Sequence, residues 1–317
     1  MFAKIYRRFV PAPARKAVYN LFLGSLLRIL RLKRKRKLAI RLRAEISSYY
    51  ESEENRGVYP VEYYSAAQWI KKNGYNLIPY DYISEYEHLS VEVFKCRETG
   101  LKYVIHNKRR IYFPKSFSSK ACRSCYRDLL IEQDTRSPHR YCHDCFDGTL
   151  PWTVFDIGAA EGIFTLNIID KIEKAYLFEY DQQWLRALRA TFKPYSDKVE
   201  IVDKYVSDED TDTTISLDTF MKNRLLTNGY IKMDIEGAES AALKGAESLL
   251  KTSGIRFVAA CTYHANDAGK EISDCLERFD YSCLYTPGVM AIGNEPPYFR
   301  QGVLYATKLF PVKFPIF

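Results

Sequence analysis

The amino-acid sequence predicts an α/β protein. It consists of a mostly parallel sheet with helices on both faces, an α+β accessory region before it, and a basic helical leader. Three observations carry this. From residue 151, strand-like and helix-like runs alternate, the pattern of parallel strands joined by crossover helices. Residues 45–150 mix short runs of both kinds without that rhythm. Residues 1–44 hold fourteen Lys or Arg and no Asp or Glu.

In the leader, Val18, Leu21, Phe22, Leu26, Ile29 and Leu30 recur at roughly helical spacing. Gly24, Ser25 and Arg28 interrupt them, so the stretch lacks the ~20 apolar residues of a membrane span. It runs straight into Leu32-Lys33-Arg34-Lys35-Arg36-Lys37 without the cleavage site of a secretory signal. No export is expected, and the body is expected in the cytoplasm. A basic amphipathic helix over 1–44 suits an anionic membrane surface, here the inner face, or packs on its own domain as a solvated helix. The formal net charge of the chain is +8, so the remainder, with 33 basic and 39 acidic residues, carries −6. That sign disfavours a phosphate-backbone track, so nucleic acid is not an expected partner of the body. Apolar residues at 47% and charged residues at 27% exclude a disordered, collagenous or membrane-bundle chain.

In 45–150, Tyr63–Lys72 reads as a helix closed by Asn73-Gly74. Val91–Phe94, Lys102–Ile105 and Ile111–Phe113 read as short strands, and Ala121–Gln133 as a helix. Cys122-x-x-Cys125 and Cys142-x-x-Cys145, separated by 16 residues, have the spacing of a four-thiolate structural zinc site. The alternative is a helix that buries its cysteines without metal. Cys96, Cys261, Cys275 and Cys283 read as small buried apolar residues.

In 151–308, strands are expected at Thr153–Asp156, Ala175–Glu179, Val199–Val202, Tyr230–Asp234, Arg256–Tyr263 and Gly302–Thr307. Helices are expected at Ile163–Ile172, Gln182–Phe192, Gly237–Lys251 and Asp267–Phe279. A tail, 309–317, follows. Ligands of such sheets bind outside the carboxyl ends of the strands. The first strand ends in Asp156-Ile157-Gly158-Ala159-Ala160-Glu161-Gly162, and the second in Glu179, 21 residues after Gly158. A glycine-bearing turn followed by an acid about 20 residues on suits the ribose of a nucleoside cofactor. Asp156 and Glu161 would repel a pyrophosphate. They favour a phosphate-free, cationic cofactor, and S-adenosylmethionine answers that description. The fourth strand runs into Asp234, Glu236 and Glu239, and the fifth delivers His264 to the same edge.

These strings, Asp156–Gly162, Phe178-Glu179, Ile231-Lys232-Met233-Asp234-Ile235-Glu236-Gly237-Ala238-Glu239 and Tyr263-His264, resemble the FkbM family of methyltransferases over about 151–308. Tyr298–Leu304 looks like the family's closing strands, and Glu132-Gln133-Asp134 with Ser137–Tyr141 like its lead-in. The four paired cysteines are not part of that resemblance. It implies a Rossmann-like class I methyltransferase fold, S-adenosylmethionine, and methylation of an oxygen, often of a sugar or polyketide. By this carry-over Asp156, Gly158, Ala160, Glu161, Gly162, Phe164 and Glu179 line the cofactor, together with Asp234. Asp234, Glu236 and His264 sit near the acceptor.

Methyl transfer from a sulfonium needs donor and acceptor aligned. An alcohol also needs a base or a metal to attack well. His264 or Asp234 is the candidate base; Asp234, Glu236 and Glu239 are alternatively oxygen ligands for a divalent cation. His139, Arg140 and Glu239 are candidate contacts to the acceptor, Arg140 for an anionic group. The favoured acceptor is a carbohydrate hydroxyl of a surface-glycan precursor. The competing readings are a zinc-bearing methyltransferase acting on RNA or protein, and a non-catalytic binding protein on the same fold.

Overall fold

The computed structural model describes residues 34, 36–141, 145–146, 150–226, 228–252 and 254–308. The expected helical leader over 1–44, apart from residues 34 and 36–44, and the tail 309–317 lie outside them. The described chain divides into two compact units, one ending at residue 79 and adding 294–296, the other formed by the rest.

The first unit holds a helix over 36–51 (α1) and Val61–Asn73 (α2). Leu42, Ile46 and Tyr50 recur every four residues, so they share one face of α1, and all three are buried. Tyr50 packs edge-on against Tyr59 and Tyr64, with ring centroids 5.2 and 5.9 Å away.

The second unit opens with a short helix, Ser84–Glu87 (α3), and a three-stranded antiparallel meander. Its strands are Phe94–Lys95 (β1), Lys102–His106 (β2) and Arg109–Phe113 (β3). The expected strand over Val91–Phe94 contributes only Phe94 to β1. Helix Ser119–Glu132 (α4) begins where the Ser118 hydroxyl accepts the Ala121 N–H.

The main sheet has seven strands. Trp152–Ile157 (β4), Ile172–Phe178 (β5) and Val199–Val202 (β6) come first. A two-residue ladder, Tyr205–Val206 (β7) with Thr214–Ile215 (β8), stands apart. Gly229–Met233 (β9), Ile255–Cys261 (β10) and Ser282–Tyr285 (β11) follow. Met290–Ala291 (β12) pairs with Phe299–Arg300 (β13), and Val303–Thr307 (β14) completes the sheet. The spatial order is β11-β14-β10-β9-β4-β5-β6, with β14 antiparallel to both neighbours and the β10–β9–β4–β5–β6 pairings parallel. This is a mostly parallel, doubly wound sheet, as expected.

The helices are Ile163–Ile168 (α5), Gln182–Phe192 (α6), Leu217–Met221 (α7), Glu239–Lys244 (α8), Glu247–Lys251 (α9) and Ala268–Glu277 (α10). The helix expected over Gly237–Lys251 is thus two. Asp218 of α7 accepts the Ser248 and Leu249 N–H groups and starts α9 anew. Residues alternate between two cores along each strand. Val154, Leu177 and Tyr230 join one, Phe155, Tyr176 and Ile231 the other. The meander and α4 share the first core through Val104, Phe113 and Cys122.

Candidate active site

The strand order reverses at β4. From there the chain moves to β5 and β6 on one side, while β9 and β10 fill the other. A ligand crevice opens where adjacent connections part in this way. Its floor is the contact between the ends of β4 and β9. Asp234 donates its N–H to the Ile157 carbonyl at 3.1 Å. Gly158 takes φ +76°, and a Cβ there would meet the Asp234 carbonyl oxygen at 2.0 Å. Only glycine allows the two strand ends to close so tightly.

Asp156 was expected to face a cationic cofactor. Instead it is fully buried, with Oδ1 3.0 Å from Lys232 Nζ and Oδ2 accepting from the Thr165 hydroxyl at 2.7 Å. Burial alone would lower the Lys232 pKa, but Asp156 and Asp234 outweigh it and raise it. Lys232 Nζ also donates to the Gly158 carbonyl at 2.7 Å. The pair therefore anchors the turn from beneath. Phe164, also expected at the cofactor, is buried, with ring centroids 5.5 Å from both Tyr141 and Tyr230.

Glu179 does stand at the crevice. Its carboxylate accepts the N–H groups of Ala160 (2.9 Å), Tyr180 (2.8 Å) and Asp181 (2.7 Å), so its position is fixed and acceptor capacity remains. Ala160 and Gly162 have φ of 45° and 75°, which shapes the turn around Glu161. Burial pushes the Glu161 carboxyl up to about 8, outweighing the lowering pull of its own backbone N–H and of Lys232.

At the end of β9, four side chains converge on Asp234. Tyr141 and Tyr263 donate hydroxyls at 2.9 and 3.2 Å, and the Nε2 atoms of His139 and His264 lie 3.6 and 3.5 Å away. Burial works to raise the Asp234 pKa, but His139, Lys232 and Tyr141 overcome it and hold it well below the carboxylate range. His139 also meets the Tyr263 hydroxyl at 2.9 Å.

His264 is held from behind. Its Nδ1 lies 3.0 Å from Glu239 Oε1, which also accepts the Ile235 N–H at 3.0 Å. Its Nε2 is buried without a hydrogen-bond partner among the described residues, 3.5 Å from Asp234 and 3.7 Å from Glu236. Burial would lower the His264 pKa; Glu239, Asp234 and Glu236 raise it instead. Glu239, expected as an acceptor contact, is 1% exposed and serves the histidine. Glu236 is exposed, at φ 58°. Arg140, expected to meet an anionic acceptor group, is buried and donates to the Thr135 carbonyl.

The run before β4 is seated by a close approach to the residue that precedes β14. A Cβ at Gly302 would meet the Pro138 carbonyl oxygen at 1.9 Å. Lys232, Tyr141 and Tyr263 belong to the motif strings but have no role expected from sequence. Their signal was a lysine in the middle of a buried strand and tyrosines flanking histidines.

Of the paired cysteines, Cys122 is buried on α4 and Cys125, one turn on, has its thiol pushed up to about 12 by burial. Together with half-buried Cys145 they form no three-ligand group; Cys142 lies outside the described residues. The groups of three that do form among the described residues are His139–Asp234–Cys261 and Asp234–Glu239–His264. Cys261 and Cys275 are buried as expected, but Cys96 and Cys283 are only half-buried.

The family model for the FkbM methyltransferase domain matches residues 121–283, just over half of the chain. The chain belongs to the FkbM methyltransferase family. The match takes in α4 and the lead-in as well as most of the sheet, and makes the protein an S-adenosylmethionine-dependent methyltransferase. No curated protein matches the chain in sequence. Similar solved structures include a precorrin-6y C5,15-methyltransferase from Geobacter metallireducens GS-15, at 15% identity and TM-score 0.34, covering 52% of this chain and 84% of that one. Others are a ribosomal protein L11 methylase from Lactobacillus delbrueckii subsp. bulgaricus (12%, 0.31, 56% and 74%) and the SAH-bound Podospora anserina methyltransferase PaMTH1 (13%, 0.30, 49% and 70%). The Gly158–Gly162 turn, the fixed Glu179 carboxylate and the buried Glu161 acid fit a nucleoside with a cationic arm.

Proposed function

We propose that this methyltransferase methylates a hydroxyl oxygen, with His264 as general base, Glu239 as its positioning residue and a carbohydrate as acceptor. The observation that carries the reading is the orientation of His264. Buried Glu239 holds Nδ1, while Nε2 is turned, without a partner, toward the strand-end carboxylates. This is the base-and-orienter arrangement that activates a weak hydroxyl nucleophile.

When bound, S-adenosylmethionine supplies an electrophilic methyl whose sulfur leaves with the bonding pair as a thioether. Glu179 would hold its ribose hydroxyls and Glu161 its cationic arm. His264 Nε2 removes the acceptor's hydroxyl proton as the oxygen attacks, and the Glu239 carboxylate stabilises the imidazolium that forms. Asp234, fixed by two tyrosine hydroxyls, orients the acceptor beside it. A carbohydrate acceptor on a surface-glycan precursor is favoured by the family resemblance and by the basic leader, which suits a membrane-held precursor.

The deciding experiment follows label from S-adenosylmethionine into fractionated extract. Label in lipid-linked glycan supports the reading; label confined to RNA or protein overturns the acceptor class. Calorimetry gives a separate check of the cofactor site: Glu179→Ala is expected to abolish S-adenosylmethionine binding. Metal content well below one zinc per chain, in protein purified without chelator, would remove the thiolate-site reading of the four paired cysteines.

A further inference from the structure

We propose that a basic groove at the carboxyl end of α6 is a second binding site, for a ligand bearing a diphosphate or several phosphate groups. The groove consists of two adjoining cavities of 340 and 310 Å³, within the size range of small-ligand sites. Both are lined by Glu98, Arg110, Tyr112, Ala190 and Lys193, so they share one wall between the meander and α6. The crevice lies at the other end of this helix, where Asp181 caps it two residues after Glu179. Eleven residues of helix put about 16 Å between the two places. The groove is therefore outside the methyl-transfer site, and the proposal does not depend on that reading.

The lining is sharply one-signed. Lys95, Arg97, Lys108, Arg109, Arg110 and Lys193 face a single acid, Glu98, on a body whose net charge beyond residue 44 is −6. Among the described residues only two of the six have carboxylate partners. Arg109 pairs with Asp170, and Lys193 with Glu98 at 3.8 Å. Arg110 is set in place by other means. Its guanidinium lies over the Tyr103 ring, 4.9 Å from the centroid, and donates to the Tyr112 hydroxyl at 3.4 Å. Cations crowded this way repel one another unless an anion sits among them. Guanidinium forks and ammonium groups are matched best by phosphate oxygens. Two linked cavities ask for charge at more than one point, which a diphosphate supplies. Their small size suits a head group and not a polynucleotide backbone.

Half-buried Cys96 lines the first cavity and gives a local readout. The Thr99 hydroxyl and nearby backbone N–H groups hold its thiol down to about 7, so it is alkylated readily at neutral pH. The test titrates the full chain with inorganic pyrophosphate by calorimetry and follows alkylation of each cysteine by mass spectrometry. Pyrophosphate is expected to bind and to slow alkylation of Cys96 but not of Cys283. Arg110→Ala with Lys193→Ala should weaken binding about tenfold per contact removed. S-adenosylmethionine binding by the double variant should match wild type, which establishes that it is folded. No binding, or equal binding by the variant, overturns the proposal. Neutral vesicles carrying a small fraction of a lipid diphosphate, at a salt concentration that screens the basic segment over 1–44, separate the sources. Capture lost in the double variant assigns a lipid head group. Pyrophosphate binding without variant-sensitive capture assigns a soluble phosphate ester.

Discussion

Lys232 sits in the middle of β9 at 5% exposure, where an ammonium persists only because Asp156, the Gly158 carbonyl and the face of Tyr141 surround it. Removing one partner of such a pair leaves a buried charge alone, so Lys232→Met should destabilise the fold by about 3–5 kcal/mol. Denaturant unfolding measures this, and a loss below about 1 kcal/mol would show that the pair does not anchor the turn. His264 gives a different kind of prediction. Neighbouring carboxylates raise its pKa, so its neutral, proton-accepting form appears only above the usual histidine range. The rate should therefore rise with pH through a midpoint above ~6.5. Glu239→Gln removes a carboxylate that favours the imidazolium, so the midpoint should move down while kcat falls. A profile unmoved by Glu239→Gln would dismiss the orienting role. His264→Ala should lower kcat about 10²–10⁴-fold with S-adenosylmethionine affinity retained.

At the scale of elements, the turns decide more than the strands do. Gly158→Ala places a methyl 2.0 Å from the Asp234 carbonyl and requires φ +76° of a residue that resists it. The ends of β4 and β9 must then part, so S-adenosylmethionine binding should be lost while circular dichroism still reports the sheet. Cofactor affinity within about twofold of wild type would count against this account of the crevice. Where an element announces itself by period, sequence was enough. The parallel strands and α6 lie within three residues of expectation, because their apolar patterns are long and their ends carry turn residues. Strand β11 was missed, since an edge strand of four mostly half-buried residues has no such pattern. The break between α8 and α9 was also missed, because it depends on Asp218, thirty residues upstream. The site divides in the same way. Glu179 and His264 were legible because strand ends point into the crevice. Asp156 and Glu239 are equally acidic and adjacent in motif, yet the fold turns them inward toward partners that only three-dimensional packing reveals.

Across the whole molecule, charge is distributed unevenly along the chain. The +8 total combines a +14 segment over 1–44 with a −6 remainder, and among the described residues no helix is long and apolar enough to cross a membrane. Residues 1–33 contain eight Lys or Arg and no acid, so a chain lacking them has no formal net charge. Basic residues near an anionic bilayer contribute about 1 kcal/mol each, an attraction that fades over a Debye length of about 8 Å at physiological ionic strength. If the leader holds the enzyme at a membrane, the full chain should sediment with anionic vesicles at low salt and be released as salt rises. The chain without residues 1–33 should remain in the supernatant throughout. Its turnover of a water-soluble acceptor should match the full chain, since the described residues that converge on the crevice lie between His139 and His264. Equal sedimentation of the two chains would assign vesicle binding to the body, with the groove beside α6 as the candidate surface, and the Arg110→Ala, Lys193→Ala variant would then have to abolish it.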